Sequence, residues 1–564
     1  MKPEKIAVIG AGVVGVPMAA SLAASRLEDA AARPVEVVLI QRNSPTSGWK
    51  VDAVNRGDSP LGGIEPGLDP VIRKAVAAKA LRASFDYDEV RDAEAVLFCV
   101  QTDKTGFAPD YGPLMQAVEA ASRALRDKPA ETRPLVIFES TLAPTTMTTI
   151  MKGAFAAHGL LDGRDIRLAN SPNRVMPGFL LERIRTSDKL VGALRPEHAA
   201  AVAALYRPVV SSGRLLQTNS LTAETVKTFE NAARDVRIAC AAELVRLCDG
   251  MDVDFHALRT EVNRRLAWDD DASVHPTAVP VGGLLVPTIG VGGHCLPKDG
   301  ILLLWRMIES GRDMSASLLL ESRRINDAAP GHAADRIAAL WGPPAGKKIA
   351  LLGTAYRPNS EDTRNSPTLG LALILAGRGA KVVLHDPYVR QEDQNLRRTG
   401  LTESFTRDLE DALAGADGVI LCAAHEFYRK EQLRILGSSR KAPAVFDGCH
   451  LFSREEAPNL PGLGKGKSAP PPELVAFAAD SFKAVETGQA LEIEAFVEFV
   501  NTAYPEPGNA LAFEDISRLA GTCVTGCRLV PPKTLAAIPS FEGKTLRLAA
   551  RSAALSRRRE GRIP

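Results

Sequence analysis

At 564 residues, with 45% apolar and 24% charged side chains, the chain has the composition of a globular protein of about three or four domains. A net charge of +2 excludes bulk attraction to nucleic acid as an organising feature. Eight scattered cysteines fit a reducing, cytoplasmic setting rather than a disulfide scaffold. Nine histidines show no ligand spacing, and apart from Cys523 and Cys527 no cysteines are paired, so no metal site is expected.

The chain opens with a short apolar run, Lys5-Ile-Ala-Val-Ile, entering Gly10-Ala-Gly12-Val13-Val14-Gly15 and then a small-residue helical pattern to about Ser25. Glycines at these spacings permit a tight turn, close approach of a pyrophosphate and close helix–strand packing, with the helix N-terminus facing the phosphates. The rival reading is an exported or membrane segment, since residues 6–25 carry no charge and follow Lys2 and Lys5. Three glycines and a proline inside the run favour strand, turn and helix, and no membrane span is expected. The next strand, Val35-Glu-Val-Val-Leu-Ile40, runs into Gln41-Arg42-Asn43 rather than the ribose-holding acid usual there. Arg42 offers a 2′-phosphate a partner, so NADP stays open beside NAD.

Strand-like runs at 96–100 and 135–138 alternate with helical stretches such as 114–126, the rhythm of a parallel sheet. Residues 222–249 predict one helix with Thr222 as N-cap and Gly250 past its end, about 40 Å long at 1.5 Å per residue. Lys227 and Asn231 share a face of it; by themselves they read as a solvated polar face. Residues 289–300, Ile-Gly-Val-Gly-Gly-His-Cys-Leu-Pro-Lys-Asp-Gly, set Cys295 in a glycine-rich loop with Lys298 and Asp299 close behind. Pro297 suits the first turn of a helix carrying the apolar run from Ile301. A thiolate there is a nucleophile that a cation or helix N-terminus activates; the alternative is a buried structural cysteine. A second strand–turn–helix unit starts at Lys348-Ile-Ala-Leu-Leu-Gly353, with Ser366 as N-cap and Pro367 at the first helical position. Strands follow at 381–386, ending in Asp386, at 418–422 and at 445–447. Arg357 and Arg364 in the turn suit a phosphate or are surface charges.

Six segments carry a resemblance in their order along residues 1–455. They are residues 10–15, Glu139-Ser-Thr141-Leu-Ala-Pro144, Ser171-Pro-Asn-Arg-Val-Met-Pro-Gly178, Glu224-x-x-Lys227-x-x-x-Asn231, Gly292-Gly-His-Cys295-Leu-Pro-Lys298-Asp299, and Arg357-Pro-Asn-Ser-Glu-Asp362-Thr-Arg364-x-Ser-Pro367. In these the chain resembles the UDP-glucose/GDP-mannose dehydrogenase family. The resemblance implies an α/β fold of two Rossmann-like doubly wound sheets joined by a central helical domain. Residues 1–205 would bind NAD, 206–330 would carry the cysteine and a dimer contact, and 340–455 would bind the UDP-sugar.

It further implies NAD-dependent four-electron oxidation of a sugar C6 alcohol to the carboxylate, in a homodimer or larger homo-oligomer. Cys295 matches the nucleophile, Lys227 and Asn231 the oxyanion stabilisers, Asp299 the group that orders water, and Thr141 a hydroxyl near the nicotinamide. Cofactor contacts are implied at Gly10, Gly12, Val13, Val14, Gly15, Arg42, Thr102 and Thr141. Substrate contacts are implied at Arg174, Lys227, Asn231, Gly292, Lys298, Arg357 and Arg364. His294 and the Arg-Val-Met-Pro-Gly segment resemble the UDP-N-acetylhexosamine branch, favouring UDP-N-acetylmannosamine. Leu296-Pro-Lys-Asp resembles the UDP-glucose pattern, so UDP-glucose, UDP-GlcNAc and GDP-mannose remain alternatives. Asn173 departs from the family's glutamate, which leaves open an impaired, nucleotide-sugar-binding homologue. A 3-hydroxyacid-type dehydrogenase is the outside alternative, transferring one hydride without a cysteine.

Residues 456–564 lie outside the resemblance. Proline-rich stretches at 457–472 and 505–507 punctuate weak helical patterns at 473–485 and 490–503. From residue 544 onward seven Lys/Arg face a single acid, Glu560, a pattern that predicts a disordered, solvated tail. The whole extension is expected to be poorly ordered or partly helical.

Overall fold

Each apolar run forms a strand because its side chains are buried on both faces, as a parallel sheet covered by helices requires. The computed structural model describes residues 3–25, 27, 35–129, 131–175, 177–266, 283–437, 444–522, 529–535 and 537–561; Cys523 and Cys527 lie outside them. Two compact units result. The first comprises Met1–Glu230, Ile301–Arg312 and Glu494–Val524, the second Asn231–Gly300, Asp313–Ile493 and Thr525–Pro564.

The first unit holds an eight-stranded sheet. Its strands are β1 (Lys5–Ile9), β2 (Glu36–Ile40), β3 (Leu81–Ser84), β4 (Ala95–Phe98), β7 (Leu135–Phe138), β8 (Arg167–Asn170), β9 (Lys189–Ala193) and β10 (Leu215–Asn219), with β5 (Asp103–Thr105) and β6 (Ala108–Asp110) pairing separately as a small hairpin. The order is β10-β9-β8-β7-β4-β1-β2-β3, whose 3-2-1-4 half is the dinucleotide-binding arrangement. Within the eight-stranded sheet all pairings are parallel except β8 with β9. Helix Gly15–Ala24 is buried along its whole length, so it carries no polar face and reads as uniformly small and apolar.

The second unit holds β11 (Lys348–Leu352), β12 (Lys381–His385), β13 (Phe405–Thr406), β14 (Gly418–Leu421) and β15 (Ala444–Asp447), ordered β13-β12-β11-β14-β15 and all parallel. The loop leaving β11 therefore emerges at the switch point between β12 and β14, where such sheets bind ligands. Ser366 caps helix Pro367–Gly377 by accepting the Thr368 N–H, as the sequence predicts.

The long helix spans Ser220–Gly250, two residues earlier than expected. Its cap is Asn219, whose Oδ1 accepts the Thr222 N–H at 2.7 Å, rather than Thr222, which is buried. No residue of this helix is exposed before Gly250, so the chain itself covers it. Part of that cover comes from the extension, because Glu243 accepts the backbone N–H groups of Arg547 and Leu548 at 2.8 and 3.1 Å. The two weak helical patterns are one helix, Pro472–Ala503. The basic stretch is not a free tail: Arg547–Arg559 is helical and buries Leu548, Ala549, Ser552, Ala553 and Ser556. Its arginines are engaged, Arg551 with Glu321 and Arg558 with Asp313. Among the described residues no helix is long and apolar enough to cross a membrane.

Candidate active site

The glycine loop fits a dinucleotide. Gly10 has φ +111°, and a Cβ there would stand 2.7 Å from the Cys99 carbonyl oxygen, while one at Gly15 would stand 1.9 Å from the Gly10 oxygen. A Cβ at Gly12 would meet nothing within 4 Å, so this side of the turn is open beside Val13 and Val14. No side chain caps helix Gly15–Ala24, which leaves its first amides for a phosphate. At the end of β2, Gln41 Oε1 accepts the Ala11 N–H at 2.9 Å and Nε2 donates to Ser47 at 3.0 Å. An amide thus braces the loop where an acid would hold ribose. Arg42 is exposed and donates to Gln116 at 3.3 Å. Thr102 and Thr141 are brought together, the Thr102 hydroxyl donating to the Thr141 carbonyl at 2.8 Å.

Cys295 immediately precedes helix Leu296–Glu309, with Pro297 in its first turn. Its carbonyl accepts the N–H groups of Lys298 and Asp299 at 3.1 and 2.9 Å. It is the exposed member of six free cysteines among the described residues; the other five are buried. A reactive thiol needs this combination of access and a helix N-terminus that stabilises its anion. One turn on, Asp299 is fully buried and held through both oxygens, by Lys298 Nζ at 2.6 Å and Asn231 Nδ2 at 2.6 Å. Lys298, expected at the substrate, is 2% exposed and its ammonium is spent on Asp299. Asn231 likewise gives its amide to Asp299. Gly292 packs closely on Tyr356, since a Cβ there would lie 2.3 Å from Tyr356 Cβ.

That contact ties the cysteine loop to the turn after β11. Gly293 N–H donates to the Arg364 carbonyl at 2.8 Å, and Asn365 Nδ2 donates back to the Gly293 carbonyl at 3.0 Å. Arg364 forks onto Asp362, and Arg357 stands half-buried on the same turn. The Tyr356 ring lies across both glycines, and burial pushes its hydroxyl up to about 12.

In the first unit, Glu224 accepts the backbone N–H groups of Thr145 and Met147, each at 2.8 Å, fixing the long helix against the loop that follows Thr141. Burial pushes its carboxyl up to about 8. Lys227, three residues later, is buried. Asn173 is locked, its Nδ2 donating to Glu139 at 3.2 Å and its Oδ1 accepting the Val175 N–H at 2.9 Å. Glu139 also accepts from Lys189 at 3.0 Å and from the Tyr206 hydroxyl. Arg174, expected at the substrate, is tied to groups of the protein itself. Its guanidinium is buried and donates to Glu230, the Asp188 and Leu519 carbonyls and the Thr522 hydroxyl.

Comparison with known proteins assigns these parts. Residues 4–210 match the NAD binding domain of the UDP-glucose/GDP-mannose dehydrogenase family, 221–328 its central domain and 350–454 its UDP binding domain. The UDP-N-acetyl-D-mannosamine dehydrogenase of Pyrococcus horikoshii is 30% identical over 468 residues, covering 82% of this chain and 99% of that protein. The chain belongs to this dehydrogenase family. A solved structure of the P. horikoshii enzyme superposes with a TM-score of 0.67 at 29% identity, covering 82% of this chain and all of that one. An NDP-N-acetyl-D-galactosaminuronic acid dehydrogenase from Ralstonia nicotianae is 32% identical over 435 residues, 75% of this chain and 92% of its own length. The family's NAD binding domain carries the Gly10 loop, and its UDP binding domain carries the Arg357 turn.

Sequence reasoning missed Tyr356, His425 and the Glu139 cluster. Tyr356 stands beside Arg357 in a quoted motif, and Glu139 opens another. His425 had no motif to mark it; its partners come from strands far apart in sequence.

Proposed function

We propose that the chain oxidises the C6 alcohol of a UDP-N-acetylhexosamine, UDP-N-acetylmannosamine first, to the uronate in two NAD-dependent steps. One observation carries the reading: an exposed thiol at a helix N-terminus, with a buried aspartate one turn on, hydrogen-bonded through its loop to the turn of the UDP binding domain. NAD, when bound, takes up one hydride in each oxidation.

In the first oxidation the alcohol loses its hydroxyl proton and its C6 hydride, giving an aldehyde. The Cys295 thiolate then adds to the aldehyde carbon, forming a C–S bond and an alkoxide. Lys227 supplies positive charge to that oxygen, and Thr141 contributes a hydroxyl beside the transferring hydride. Loss of the second hydride gives a thioester. Water attacks the thioester carbon, the C–S bond breaks, and the thiolate is regenerated beside a carboxylate. Asn173 cannot serve as the base, since an amide takes no proton at neutral pH and both its polar atoms are already bonded. Asp299 orders the water and moves its proton, while Asn231 and Lys298 hold the aspartate. Arg357 and Arg364 mark the nucleotide end.

The test is cofactor reduction at 340 nm, run to completion with UDP-ManNAc, UDP-GlcNAc, UDP-glucose and GDP-mannose, each with NAD and NADP. Two equivalents of reduced cofactor per UDP-ManNAc, abolished by Cys295→Ala, are expected. One equivalent would mean arrest at the aldehyde or thioester, and none with any sugar would favour a binding homologue.

A further inference from the structure

The acid ending β12 sits where a Rossmann-like unit would hold a ribose, yet Asp386 has no exposed surface. Its Oδ1 accepts the N–H groups of Tyr388 and Val389 at 2.9 and 3.2 Å. Its Oδ2 accepts the Ala355 N–H at 2.9 Å and faces His425 Nε2 at 3.1 Å. No lone pair is left for a ligand. His425, just beyond β14, is equally buried, and its Nδ1 accepts the Asn359 N–H at 2.7 Å. A backbone N–H can only donate, so neutral His425 carries its proton on Nε2 and gives it to Asp386.

The pair therefore grips the turn after β11 at two points, Ala355 and Asn359. Tyr356 and Arg357 lie between them. Asn359 needs the grip, because its φ of +55° is a left-handed conformation that a non-glycine residue adopts at a cost. Its side chain is used too, Oδ1 accepting the Glu426 N–H at 3.0 Å. The ends of β12, β11 and β14 are thus joined through one carboxylate and one imidazole.

We propose that His425 and Asp386 are positioning residues for the nucleotide sugar, holding the Arg357 turn in its binding shape from behind. This rests on the reading of that turn as the nucleotide end of the site. His425→Gln keeps an acceptor and a donor on one side chain, as the imidazole has, whereas His425→Phe keeps neither. Three quantities are measured on the full chain: UDP affinity by calorimetry, kcat and KM for the nucleotide sugar, and NAD affinity. His425→Phe is expected to weaken UDP binding and raise KM roughly tenfold or more, with kcat at saturation and NAD affinity little changed. His425→Gln is expected to stay close to wild type. Asp386→Asn, which sets an amide against the Ala355 N–H, is expected to follow His425→Phe and serves if the phenylalanine variant does not fold. Wild-type UDP affinity in folded His425→Phe or Asp386→Asn would overturn the proposal, as would a glutamine variant as weak as the phenylalanine one. Failure of the wild-type protein to bind UDP would instead overturn the nucleotide-sugar reading beneath it.

Discussion

Two buried carboxylates in this molecule are held by the same pair of groups, a lysine and an amide, in different surroundings. Glu139 is bonded by Lys189 and Asn173, Asp299 by Lys298 and Asn231. Each also has a cysteine for company. Cys99 is buried, and burial with the charge of Glu139 pushes its thiol far up, out of reach of ionisation. Cys295 is exposed at the head of a helix. A lysine–carboxylate–amide cluster is thus not in itself an active site; access and a place where an anion is stabilised decide. Glu139, which also accepts from the Tyr206 hydroxyl, is a joint between β7, β8, β9 and the helix Ala199–Tyr206.

The comparison breaks most sharply at the thiols. Cys295→Ala should lower kcat at least about a thousandfold, whereas Cys99→Ala should change it less than tenfold while lowering stability by roughly 1–3 kcal/mol; steady-state rates and denaturant melts separate them. At the carboxylates, Asp299→Asn should slow thioester hydrolysis in the folded fraction by about 10²–10⁴, beside the stability lost when buried Lys298 is left without its counter-charge. Glu139→Gln should instead cost roughly 3–5 kcal/mol by leaving Lys189 without its counter-charge, and leave the folded enzyme active. Asn173→Glu would set a second carboxylate against Glu139 and remove a donor. It should destabilise by about 1–3 kcal/mol and not speed acid release in a quench-flow assay.

The smallest effect comes from a third buried carboxylate that has no lysine. Glu492 accepts from Ser317 and from the Leu318 and Leu319 amides, and burial pushes it up to about 7. Its folded-state value lies above the unfolded one, so its contribution is fully present below the ordinary carboxylate range and is lost as pH rises through about 7. Wild-type Tm should therefore fall between pH 5 and 8, and Glu492→Gln should flatten part of that slope.

What the sequence made legible was local. The glycine turn, the strands at 135–138 and 348–352, Pro297 opening the cysteine helix and Ser366 capping the next all depend on neighbours within a few residues. What it hid was long-range. The break between the helical patterns at 473–485 and 490–503 closes because Gly488 lets Ser552 pack against it; a Cβ there would stand 2.1 Å from the Ser552 hydroxyl. The solvated tail became a buried helix for the same reason. Arg174 and Lys298 have the residue types that bind anions, but partners distant in sequence or buried beside them had already claimed their charges.

The central claim is that Cys295 forms a covalent intermediate. Asp299→Asn, which should let the thioester accumulate, is mixed with UDP-ManNAc and NAD, quenched in acid and examined by intact and peptide mass spectrometry. The account predicts a mass gain equal to the substrate less four hydrogens, mapped to Cys295 and missing from the double variant with Cys295→Ala. Reduction of NAD with no adduct, or with the adduct on another residue, would contradict it.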